Sequence, residues 1–148
     1  MVYRLYLETV KKDNEIAWAF TFYNHQDFLV YKRAGISTLA DEDAVILEQA
    51  GIALTYFEKS MRRRYYDEHF STRIDEDYVT LYTEYTEIES AAKTVKSNES
   101  SSIGFVRHDA LWEILLPFFK QKTMSFEIAT EEKFIHFAKD LAQKQFEK

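Results

Sequence analysis

The chain has no cysteine. Disulfides and thiolate metal sites are therefore excluded, and the absence fits a cytoplasmic protein. With 1 proline and 3 glycines in 148 residues, breaks are few and regular structure should dominate. No apolar run reaches the length of a membrane span, and the N-terminus lacks the basic and apolar regions of a signal peptide. No membrane partner is expected. Positive charge is also scarce: 19 Lys and Arg face 25 Asp and Glu, a net charge of −6. Such a domain has no overall field drawing phosphates in, so binding nucleic acid requires a local basic surface. No Gly-rich phosphate loop or nucleophile elbow occurs. His25, His69, His108 and His136 show no metal-ligand spacing among themselves.

What is present is a core. The chain is 46% hydrophobic, with 12 Phe and 10 Tyr, enough for one domain over residues 1–148. Its organising stretch is Ser37 to Met61, which reads as one long amphipathic helix. Thr38 followed by Asp41 gives a capping-box-like start. Leu47, Ala50, Leu54, Phe57 and Met61 recur at offsets of three and four, so they share a face. Gly51 costs about 1 kcal/mol of helix propensity against Ala and implies close packing. Glu48 lies beside that apolar face, either at the edge of the core or in a site.

Residues 2–10 read as a central strand covered on both faces, with Glu8 near its end. Residues 16–23 and 27–33 make two more strands around a short Asn24-His25-Gln26 loop. Arg62-Arg63-Arg64 reads as a solvated, dipole-matched helix end, in preference to a phosphate patch. Residues 65–77 read as a polar connection, and 77–85 as the next strand, ending at Glu84. Helices follow over 86–96 and 109–116, the latter stopped by Pro117. Between them, 97–102 is a Ser-rich flexible loop. A strand over 123–129 and a helix over 131–146 close the chain. Trp18 and Trp112 are core residues, and Tyr3, Tyr23 and Tyr65 are candidate surface contacts. The order is βββαβααβα, an α/β mixed five-stranded sheet flanked by helices.

If the first and fourth strands are parallel neighbours, Glu8 and Glu84 leave the same end of the sheet, where ligand sites favour the strands' carboxyl ends. Clustered carboxylates repel one another unless a divalent cation holds them, and oxygen ligands suit Mg²⁺ or Mn²⁺. Each glutamate also has a plain alternative as a helix-edge or strand-end charge. At this point the chain resembles the ribonuclease H family, type 1 branch, over nearly its full length. LYLE (5–8) and LYTE (81–84) match the family's first- and fourth-strand motifs. LEQAGIALTYFE (47–58) matches its first helix, and ALWEIL (110–115) its Leu-Trp helix. SFEIA (125–129) matches its last strand, and KDLA (139–142) its final motif.

The resemblance implies a catalytic set of Glu8, Glu48, Glu84 and Asp140. Glu8, Glu48 and Glu84 would hold Mg or Mn for cleavage of an RNA–DNA hybrid. There are departures. Glutamates replace aspartates at 8 and 84, and Lys139 stands where a fourth carboxylate belongs, with Asp140 one helical step away. His136 is the nearest counterpart of the family's mobile-loop histidine and reads as a helix-surface residue. Three readings stay open: an impaired relative that binds nucleic acid, an active Mg- or Mn-dependent hybrid ribonuclease, and a module for a protein partner or homo-oligomer.

Overall fold

The central strand β1 (Val2–Lys12) alternates its side chains between two apolar layers. Leu5 and Leu7 enter the larger core, whereas Tyr6 enters a separate cluster with Tyr23, Phe134 and Ile135. A computed structural model describes residues 1–62, 64–67, 72–75, 77–98 and 107–148; for 64–67, 72–75 and 98 only the backbone is described. Strands β2 (Glu15–Tyr23) and β3 (Leu29–Ser37) extend the sheet antiparallel on one side of β1. On its other side β6 (Tyr78–Thr83) and β7 (Met124–Ile128) pair parallel, giving the order β3-β2-β1-β6-β7. This is the expected mixed five-stranded sheet.

Helices α1 (Glu42–Tyr56), α2 (Thr86–Asn98) and α3 (Asp109–Phe119) are associated with the larger core, and α4 (Glu132–Lys144) with the Tyr6 cluster. None of the described helices is long and apolar enough to cross a membrane. Trp18 and Trp112 are both buried.

Several local expectations change. The cap of α1 is Asp41, not Thr38: its carboxylate accepts from the Asp43 N–H at 2.9 Å. That carboxylate also meets Arg107 and, at 3.0 Å, His108 Nε2, which ties the start of α3 to the start of α1. Helix α3 runs through Pro117 to Phe119, because Lys120 N still donates to the Leu116 carbonyl at 3.3 Å. The polar connection carries a two-stranded hairpin, β4 (Arg64–Asp67) with β5 (Thr72–Asp75). Ser97 and Asn98 belong to α2, and the rest of the Ser-rich loop lies outside the described residues. Tyr23 is buried against Phe134 with ring centroids 4.5 Å apart, and Tyr3 is half-buried against Phe57, so neither is a free surface aromatic. The side chain of Tyr65 lies outside the described residues.

Arg62 is the largest local correction. A π-helical turn, Phe57–Met61, follows α1, and Arg62 leaves it pointing inward. Its guanidinium serves Asp77 O (3.1 Å), Glu58 Oε1 (2.6 Å), Gln121 Oε1 (3.0 Å) and Thr123 Oγ1. It is neither solvated nor a phosphate ligand. Arg63 and the side chain of Arg64 lie outside the described residues.

Close packing also marks Gly35 on β3. A Cβ there would lie 2.9 Å from Trp18 Cζ2, inside contact distance. Gly35→Ala should therefore displace the indole and cost about 1–3 kcal/mol of stability, read by urea unfolding. At Gly51 the added Cβ would sit 3.2 Å from Ile114 Cγ2, so the packing reason expected there comes from α3.

Candidate functional site

Because β1 and β6 are parallel, residues just past their facing ends meet at one rim. Glu8 is buried at 3% exposure, and its Oε2 accepts from Glu84 N at 3.3 Å. The two carboxyls are close enough for each to shift the titration of the other. From α4, Lys139 Nζ reaches Glu84 Oε1 at 2.7 Å. This is a closed chain of contacts: Glu8 to Glu84 to Lys139.

Its electrostatics follow from position. Burial first, then the hydrogen bond and charge of Glu84, push the Glu8 carboxyl up to about 8. Glu84 is held below the usual carboxylate range, first by the hydrogen bond from Lys139. The Lys139 ammonium is raised by that same bond. The two shifts have opposite directions: the buried Glu8 favours its protonated form, while Glu84 favours its charged form and pairs with Lys139.

The cleft around this chain has a volume of about 410 Å³ and is also lined by Glu42, Asp43, Ile46 and Glu87. Glu42 and Asp43 open α1, and Glu87 lies in the first turn of α2. Acids there are favoured by the positive end of each helix dipole, which explains their accumulation at this rim without a ligand. Sequence reasoning passed over them; the signal was their place in the first turns of two helices.

Glu48 does not line this cleft. It lies with Leu47, Gly51, Ile52, Thr55, Leu111 and Ile114 in an apolar groove between α1 and α3. Beyond the first turn of α1, Ile46 lines the acidic cleft, two positions from Glu48, a rotation of about 200° around the helix. Packing of α1 on α3 sets that rotation. Asp140 is exposed and does not line the cleft, and His136 is exposed on α4.

These donors do not fit a divalent cation. The Glu84 carboxylate is paired with the Lys139 ammonium, Glu8 is buried beside it, and Glu48 is on another face. Among the described residues, no group of three or more His, Asp or Glu is arranged to hold a metal ion.

By sequence, no family model and no curated protein matches the chain. By structure it is similar to RNase H1 from the halophilic archaeon Halobacterium salinarum, with 10% identity and TM-score 0.65 over 99% of this chain and 98% of that one. It is also similar to the N-terminal RNase H domain of a Mycobacterium tuberculosis protein, with 6% identity and TM-score 0.68 over 99% and 94%. A third likeness is to LC11-RNase H1, isolated from compost and solved with an RNA/DNA hybrid, with 10% identity and TM-score 0.62 over 98% and 96%. At these identities the likeness is one of fold: the chain has a ribonuclease H-like fold.

Proposed function

We propose that this chain keeps a ribonuclease H-like fold, does not hydrolyse nucleic acid, and acts by binding. The observation that carries this is the Lys139 ammonium 2.7 Å from Glu84 Oε1, beside the buried Glu8. An ammonium there neutralises the one fully charged acid of the pair and repels a divalent cation. A nuclease needs preorganised charge at the reacting phosphate, held to within about 0.5 Å. Here that charge is consumed internally.

The test is hybrid cleavage by the purified chain in Mg²⁺ and in Mn²⁺. The expected result is no turnover above a control without protein. Robust cleavage abolished by both Glu8→Gln and Glu84→Gln would overturn the proposal.

The second reading is that an RNA–DNA hybrid is what the chain binds. The observation favouring it is the likeness to a structure solved with such a hybrid. Five acidic residues (Glu8, Glu42, Asp43, Glu84, Glu87) line the acidic cleft, so the phosphates would have to contact another surface. Fluorescence anisotropy with a labelled hybrid at low salt tests this reading. No affinity there would leave a protein partner or a second copy of the chain as the bound species.

A further inference from the structure

A second cleft, whose charged lining among the described residues is basic, lies at the opposite end of the parallel strands. Glu84 follows the carboxyl end of β6, whereas this cleft opens at the start of β7. It has a volume of about 570 Å³ and is lined by Val95, Lys96, Lys120, Gln121 and Lys122. The size is within the range of small-ligand sites. Lys96 comes from the last turns of α2, Lys120 caps the end of α3, and Lys122 lies in the connection to β7.

None of these three lysines makes an ion pair among the described residues. Lys93, one turn before Lys96, does: it meets Glu89 at 2.7 Å. The contrast is notable in a chain of net charge −6, where carboxylates are in excess. Lys96 is also fixed in place. Its ammonium donates to the Met124 carbonyl and lies 5.7 Å from the Phe126 ring centroid. Burial pushes this ammonium's pKa down, and the charge of Glu127 opposes the shift only in part. Compensation of helix dipoles accounts for lysines at the ends of α2 and α3. It does not require one of them to be anchored on a backbone carbonyl with no ion pair among the described residues.

We propose that this cleft binds a compact polyphosphate anion through Lys96, Lys120 and Lys122. Several ammonium groups on one concavity favour a ligand carrying several charges in a small volume. A bound anion would supply further acceptors for the Lys96 ammonium, beyond the Met124 carbonyl, and a negative charge in direct contact with it. The site is independent of the acidic cleft and of whether the chain hydrolyses anything.

Calorimetry of the full chain with sodium triphosphate at low salt is the test. One saturable site is expected. Lys96→Met should weaken it roughly tenfold, the scale of a lost hydrogen bond to a charged group. Lys120→Met and Lys122→Met, whose ammonium groups are not anchored as that of Lys96 is, should each weaken it about two- to fivefold. Lys32→Met, on the far edge strand β3, should leave binding unchanged. Circular dichroism checks that each variant folds, and the Lys120 and Lys122 variants test the site even if Lys96→Met does not fold. In NMR titrations the Lys96 ammonium should move to higher pKa when triphosphate is present. Absent or unsaturable binding would overturn the proposal, and so would equal weakening by Lys32→Met, which marks diffuse attraction. A single-stranded DNA oligonucleotide should not displace triphosphate at matched phosphate concentration; displacement would assign the surface to nucleic acid and reject the small anion.

Discussion

Replacing Arg62 by alanine is expected to lower the unfolding free energy by about 3–5 kcal/mol, the scale for breaking a buried charge network. The Arg62 side chain is 1% exposed and joins three separate segments: the π-helical turn, the entry to β6 and the α3–β7 connection. Truncation would leave the Asp77 carbonyl and the Thr123 hydroxyl short of a partner and would empty the space beside Phe57. Arg62→Lys should recover only part of the loss, because one ammonium cannot reproduce a planar fork of donors. Urea unfolding at neutral pH is the measurement. A loss below about 1 kcal/mol would place Arg62 among ordinary surface arginines.

The second large effect is on the pH dependence of stability. Glu8 has an ordinary carboxyl value of 4.5 when unfolded and about 8 when folded. Between those values the folded chain binds more protons than the unfolded chain, so its stability falls as pH rises. The Glu8 contribution is fully present below about 4.5, declines through the interval and is lost above about 8. At about 1.4 kcal/mol per pH unit, it is on the order of 4–5 kcal/mol. Glu84 acts with the other sign. Its folded pKa is lowered, so its contribution is present above the ordinary carboxyl value and lost as pH falls below it. Glu8→Gln keeps the shape and removes the titration. The difference between wild type and Glu8→Gln, measured by denaturant unfolding from pH 4 to 9, should therefore favour the variant progressively as pH rises. A flat difference would show that Glu8 does not carry the proton in the folded chain.

Both effects depend on where a charged side chain lies after folding, and the sequence foretold the two unequally. The meeting of Glu8 with Glu84 was legible, because strand ends that run parallel bring their following residues to one rim. The burial of Arg62 was not. Three consecutive arginines after a helix look solvated by every local rule, and only the π-helical turn directs the first of them inward. Pro117 gave a similar false signal: proline weakens a helix, but packing of Trp112, Leu115 and Phe119 carries α3 past it.

Glu48 shows the same limit at the candidate site. Periodicity correctly grouped Leu47, Ala50, Leu54 and Phe57 on one buried face of α1. It could not say which neighbour each side of that helix would meet. Docking on α3 turned Glu48 into an apolar groove and left Ile46 at the acidic rim.

By itself the sequence determined the five strands of the main sheet, most of the helices, their order and the apolar faces, because those depend on side-chain spacing along a few turns or a few alternations of backbone. Only the tertiary structure decided which acids share a proton, which lysine neutralises them and which arginine is buried. Those outcomes depend on the rotation of each helix against its neighbours, and a rotation of one residue, about 100°, is enough to move a charge from one surface to another.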